Sequence, residues 1–277
     1  MQNAAGCGIV IVTRQAVARA ARENIKNTGE SIMKVIVTGS YDESCAVVAG
    51  MIRDLVNGKP ACKLGLATGG TPVPIYKKLI DMNKAGEVDF SQVHTVNLDE
   101  YCGIPGTHDQ SYRYFMDTNL FNHINIDKAN TYVAKGMGDF EANAAELESK
   151  VREGGVADLQ LLGIGNNGHI AFNEASDHLI SVAHIETLTE STINANARFF
   201  EKKEDVPTKA ITMGMGDIMA AKCVVLVATG LAKVPAIKGL IMDNVITTQN
   251  PSTMLKMHEN AVVVIDKELA DAVGYKA

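Results

Sequence analysis

The chain has 277 residues, 46% of them hydrophobic and 21% charged, a composition that supplies a sizeable core and excludes general disorder. Lys and Arg number 26 against 32 Asp and Glu, a net charge of −6, so neither nucleic acid nor an anionic membrane surface is an expected partner and an anionic ligand has to be caught by a local site. No apolar run reaches the ~18 residues of a membrane helix, and the five cysteines, odd in number, widely spaced and without a CxxC pair, fit the reduced thiols of a cytoplasmic protein better than a disulfide framework or a zinc site.

In chain order, residues 1–32 read as an N-terminal extension. A short apolar stretch, Gly8 to Val12, precedes an Ala-rich segment with Arg14, Arg19 and Arg22, either a frayed helix or sequence upstream of the real start. Met33 opens the first strand-like run, Lys34 to Val37, and residues 33–277 read as a single domain. Strands are expected over Lys63 to Ala67, Val93 to Leu98, Leu159 to Leu162, Ile185 to Leu188, Ala210 to Met213, Val224 to Ala228 and Val262 to Ile265. Helices are expected over Pro72 to Lys84, where the proline opens the first turn, and over Ser111 to Phe121, Phe140 to Arg152, Ser191 to Phe200 and Lys233 to Ile241, with one more at the C-terminus. Short buried strands alternating with helices predict a three-layer α/β/α fold with a mostly parallel, Rossmann-like central sheet. In such a sheet ligands bind outside the carboxyl ends of the strands. The informative polar residues, Thr68 to Thr71, Asp99, Asn167 to Glu174 and Thr229 to Lys233, all follow strands.

Thr68-Gly69-Gly70-Thr71 joins a strand to a helix, and its glycines, hydroxyls and free helix N–H groups suit a phosphate monoester. It is no Walker A loop, because no Gly-Lys-Ser/Thr follows; an ordinary Thr-capped strand-to-helix turn is the plain alternative. Gly163-Ile164-Gly165-Asn166-Asn167-Gly168 matches G-x-G-x-x-G, yet His169 to Glu174 is poor helix-opening sequence, which argues against a dinucleotide site and for a loop presenting Asn167, His169 and Glu174. Asp99 and Glu100 stand at a strand end, where one carboxylate can act as a base and the other be held by hydrogen bonds; helix capping is the plain alternative. Lys233 and Arg198 are either phosphate partners or solvated surface cations. No histidine sits in HExxH, and no metal site is expected.

Taken together, Gly65 to Pro72, Thr95 to Tyr101, Gly163 to Glu174, Ala195 to Phe200 and the Lys233 region resemble the glucosamine-6-phosphate deaminase family, from Met33 to Ala277. The resemblance implies a hydrolase that converts glucosamine 6-phosphate and water to fructose 6-phosphate and ammonia. It assigns Asp99 as the base at C2, and His169 as the ring-opening group positioned by Asn167 and Glu174. Thr68, Gly69, Gly70, Thr71, Arg198 and Lys233 are assigned to the substrate, chiefly its phosphate. No redox step occurs, so no cofactor or metal is needed. Many members carry Asp where this chain has Asn167. Allosteric hexameric members bind an amino-sugar phosphate activator through a basic residue, a lysine and a threonine; His184, Glu186 and Thr187 stand there, and Glu186 would repel a phosphate. The implied partner is thus an amino-sugar phosphate, activation is not expected, and a homo-oligomer stays open. A galactosamine-6-phosphate enzyme and a non-catalytic sugar-phosphate sensor are the alternatives; intact Asp99, His169 and Glu174 argue against the sensor.

Overall fold

A computed structural model describes residues 33–276; the expected extension over residues 1–32 lies outside them. The apolar runs form β1 (Lys34–Thr38), β2 (Lys63–Leu66), β3 (His94–Asn97), β5 (Thr131–Tyr132), β6 (Leu159–Leu162), β9 (Val224–Ala228) and β10 (Ala261–Asp266) of one sheet. Its order is β1-β10-β9-β6-β2-β3-β5, and every pairing in it is parallel. Strands β6, β9 and β10 are buried at every position, which requires cover on both faces and accounts for their unbroken apolar runs. The expected three-layer α/β architecture is therefore present.

The helices are α1 (Tyr41–Gly58), α2 (Val73–Lys84), α3 (Tyr112–Asn119), α4 (Phe140–Arg152), α5 (Glu190–Asn196), α6 (Met215–Met219), α7 (Val234–Ile241) and α8 (Lys267–Val273). Helix α1 has no counterpart among the expected elements, although it carries signals of its own. Ser40 caps it by accepting Glu43 N–H at 3.3 Å, and Cys45, Val48, Ala49, Ile52 and Val56 form its buried stripe at helical spacing.

A second, antiparallel sheet corrects the expected strand assignment. It joins β4 (Asp99–Tyr101), β8 (Lys209–Thr212) and β7 (His184–Thr187) in the order β4-β8-β7. The strands expected near 185–188 and 210–213 thus lie outside the parallel sheet. The break falls at Leu98, whose N–H still donates to Leu66 O (3.1 Å) in the parallel sheet while its carbonyl accepts from Met213 N (2.8 Å) beside the second. Asp99 is therefore the first residue of a strand that leaves the main sheet.

The chain runs outward from β2 through β3 to β5, then returns to the middle and runs the other way from β6 through β9 to β10. The order reverses between β2 and β6, and the crevice at their carboxyl ends is where a ligand site belongs. The opposite edge is laced by charge. Asp158, just before β6, accepts from Lys59 Nζ, from Lys222 Nζ (2.8 Å) and from the backbone N–H of Lys63 (2.9 Å). Lys63 Nζ in turn donates to the carbonyls of Lys150, Val151, Glu153 and Gly155 at the end of α4.

Candidate active site

A cavity of about 630 Å3 opens at the reversal point. Thr68, Gly69, Gly70 and Thr71 reach it from the β2 loop, Asp99 from the β3–β4 junction, Asn167 and His169 from the β6 loop, Arg198 from the turn after α5, and Lys233 from the loop after β9. Every residue expected at the site lines the cavity except Glu174, which stands behind His169.

The β6 loop is shaped by close approaches. No helix follows Gly168, in keeping with the argument against a dinucleotide fold. A Cβ on Gly165 would lie 2.4–2.5 Å from the His169 ring, so only glycine lets the imidazole rest on that backbone. Ala171 then adopts a left-handed φ of +52°, a strained conformation for a residue with a Cβ. It closes a tight turn in which Asn173 N–H donates to Ile170 O (3.2 Å). The turn brings Glu174 back against His169, with Glu174 Oε2 3.2 Å from His169 Nδ1. Asn167 Nδ2 donates to the same oxygen at 2.7 Å, and Asn167 Oδ1 accepts the His169 backbone N–H at 3.3 Å. On the far side, the Thr192 hydroxyl donates to Glu174 Oε1 and Thr189 Oγ1 lies 3.2 Å away. Burial works to raise the Glu174 carboxyl, but His169, Thr192 and Asn167 outweigh it and hold it at about 2. Glu174 is thus a fixed carboxylate. A carboxylate only accepts, so His169 Nδ1 carries a proton and Nε2 is left for proton transfer.

Asp99 is the contrast. It is 6% exposed and has no side-chain hydrogen-bond partner among the described residues. Burial first, and the neighbouring Glu100 second, raise it to about 8, which makes it a strong base for a carboxylate. Glu100 is the capping group of the pair. Its oxygens accept the N–H groups of Tyr101 and Tyr112 at 2.9 Å and of Arg113 at 3.0 Å, at the start of α3. Burial raises it to about 7 against the pull of those donors.

The other wall is cationic. Arg198 and Lys233 have no carboxylate partner among the described residues. Burial and then the charge of Arg198 push the Lys233 ammonium below its ordinary value, and the Arg198 guanidinium lies 4.7 Å from the Phe199 ring centroid. Two cations without a carboxylate partner among the described residues thus share the cavity with the Thr68–Thr71 loop, a set of groups chemically suited to a small dianion. Gly69 turns that loop with φ +90°, and the Tyr41 hydroxyl, from α1, fastens it by donating to Thr71 O. Tyr41, Thr189 and Thr192 were not singled out from the sequence. Their only signal is hydroxyl placement near an element start, which is not distinctive.

Residues 39–264 match the family model described as glucosamine-6-phosphate isomerases/6-phosphogluconolactonase. A Clostridium beijerinckii protein named glucosamine-6-phosphate deaminase is 52% identical over 242 residues, covering 87% of this chain and 100% of that protein. A Thermoanaerobacter protein of the same name is 49% identical, with 87% and 95% covered. Among solved structures, one described as a monomeric glucosamine-6-phosphate deaminase superposes with a TM-score of 0.84 at 38% identity, covering 87% of this chain and all of that one. A Thermotoga maritima 6-phosphogluconolactonase superposes at 0.66 with 19% identity, covering 86% and 100%, a likeness of fold. By its sheet, its reversal point and these matches, the chain belongs to the glucosamine-6-phosphate isomerase/6-phosphogluconolactonase family.

Proposed function

We propose that this protein is a glucosamine-6-phosphate deaminase, which converts glucosamine 6-phosphate and water to fructose 6-phosphate and ammonia. One observation carries the reading: a buried carboxylate without a partner, Asp99, and a carboxylate-held imidazole, His169, share one cavity with two unpaired cations. The relatives named for this activity, at about half identity over nearly their whole length, support it.

In this reading the phosphate is held by Arg198, Lys233 and the Thr68–Thr71 loop. His169, oriented by Glu174 and Asn167, moves the proton that opens the pyranose ring. The open aldehyde makes the C2 proton removable, and Asp99 takes it. The same carboxyl returns the proton to C1, leaving an imine at C2. Water adds to the imine carbon, the nitrogen leaves as ammonia, and the ketose remains, so atoms balance without a redox step. The phosphate lies away from the bonds that change, and its binding energy goes to holding the acyclic chain in place.

Residues 33–277 are inferred to be the single catalytic domain. No helix of the described residues is long and apolar enough to cross a membrane, and the reading places the enzyme in the cytoplasm. Self-association is open to light scattering; a single monomeric species would group the chain with its monomeric solved relative.

The test is the release of ammonia and fructose 6-phosphate from glucosamine 6-phosphate by the wild type and by Asp99→Asn. Equal amounts of both products from the wild type, and a loss of at least about 10³-fold in the variant, are expected. A folded wild type that releases neither product removes the reading, and the same assay on galactosamine 6-phosphate then separates the galacto-sugar enzyme from a silent sensor.

A further inference from the structure

We infer that Thr192, with Thr189 beside it, is a positioning residue that ties the chain segment carrying Arg198 to the Glu174–His169 pair. The inference rests on the reading of His169 as the ring-opening group. Glu174 is 4% exposed, and its two oxygens are held by different parts of the chain. Oε2 belongs to the β6 loop, through Asn167 and His169. Oε1 belongs to α5, through the Thr192 hydroxyl and Thr189 Oγ1. Thr189 caps α5 by accepting Thr192 N–H at 3.3 Å, and its oxygen is 3.2 Å from both Glu174 Oε1 and Thr192 Oγ1. It has one proton to give, so the Thr192 hydroxyl is the firmer donor. Among the described residues, these four side chains are the ones bonded to Glu174.

A buried carboxylate keeps its orientation only while both of its oxygens are engaged. Without Thr192, Oε1 retains the longer Thr189 contact alone. Glu174 then becomes the stronger acceptor for the imidazole proton and is freer to swing. Helix α5 continues directly into the turn Ala197–Phe199, which presents Arg198 to the cavity. An anion held by Arg198 therefore loads the same short segment whose first turn holds Glu174. Phosphate capture and imidazole placement become one mechanical unit.

The experiment compares Thr192→Val, Thr192→Ser, Arg198→Ala and the Thr192→Val/Arg198→Ala double variant, with Thr192→Ala in place of the valine should that fail to fold. Kinetics of ammonia release are paired with the low-field proton resonance of His169 Nδ1, which needs no turnover. Thr192→Val is expected to lower kcat about tenfold with KM within about twofold, and to move the resonance downfield. Thr192→Ser is expected to restore both. Arg198→Ala should lower kcat and raise KM in the wild type, but only raise KM once Thr192 is valine. A folded Thr192→Val with unchanged kcat and resonance, or a serine variant as impaired as the valine, would assign Thr192 to packing and overturn the inference. Full additivity of the two positions in kcat would cut the tie to Arg198. A wild type without ammonia release whose resonance still follows Thr192 would sink the functional reading and leave the positioning role standing.

Discussion

Position 167 needs a donor on one side and an acceptor on the other, because it stands between Glu174 Oε2 and the backbone N–H of His169. An amide supplies both. An aspartate in the same place sets two carboxylates about 2.7 Å apart, which can coexist only by sharing a proton. Asn167→Asp is therefore expected to remain active while its kcat/KM–pH profile is displaced from that of the wild type, since the added charge raises the proton affinity of the cluster. A profile superimposable on the wild type would take Asn167 out of ring opening. At this scale the sequence is most readable where a motif keeps its chemistry within a few residues, as His169 and Glu174 do. Thr192 and Tyr41 are not readable, because their partners Glu174 and Thr71 lie on other loops and a hydroxyl has many uses. The left-handed Ala171 is hidden for another reason: nothing in an alanine announces a turn that only tertiary contacts impose.

At the scale of elements, the strand that begins at Asp99 and the helix that begins at Tyr112 depend on one carboxylate. Glu100 takes three backbone N–H groups, and Tyr112, the first residue of α3, lines the cavity. Glu100→Gln replaces one acceptor oxygen with a donor amide and leaves at least one of those N–H groups without its acceptor, so a loss of about 1–2 kcal/mol is expected, or about 3–6 °C in Tm by calorimetry. Its kcat should fall less than tenfold, which separates the capping carboxylate from the neighbouring base. Strand β7 supports a second expectation. Its His184 donates to Val182 O (2.9 Å) and pairs with Glu186 at 3.3 Å. Burial opposes the charge on this imidazole, but the Glu186 carboxylate and the Val182 carbonyl outweigh it and raise the group above its ordinary value. His184 is thus already paired with the Glu186 carboxylate, and N-acetylglucosamine 6-phosphate is expected to leave the substrate saturation curve unchanged; sigmoidal kinetics relieved by that compound would contradict this. Element types were legible from apolar runs and caps, but sheet membership was not. A four-residue run such as Ala210 to Met213 reads alike whether its neighbours are parallel or antiparallel, and only the hand-over at Leu98 decides it. Helix α1 was legible in principle, through Ser40, Glu43 and its apolar stripe.

For the whole molecule, Asp99 sets stability against activity. Its carboxyl is raised from 3.8 to about 8 in the fold, so the unfolded chain ionises first as pH rises. The stability tied to this group is fully present below about pH 4 and is lost as pH rises to about 8. In the proposed reaction activity runs the other way, because Asp99 acting as the base has to be ionised, and kcat/KM is expected to rise to a plateau above pH 8. Asp99→Asn is expected to abolish turnover yet raise Tm by about 3–6 °C at pH 8, with the gain vanishing toward pH 4. A variant no more stable at pH 8 than at pH 4 would show that the carboxylate is accommodated without cost. The reversal of strand order that creates this site was legible only as a class property, since strand order is settled by packing that no single run encodes.

The lacing of Asp158 with Lys59 and Lys222, and of Lys63 with the end of α4, lies wholly at the amino edge of the strands. Every proposed reacting group lies at the carboxyl edge. The fold is therefore two-sided in what it tolerates. Loops at one edge can be redrawn, lengthened or given new chemistry while the fastenings at the other go on closing the sheet. Such a molecule can change occupation without changing shape, as a fold that recurs in a lactonase at 19% identity requires.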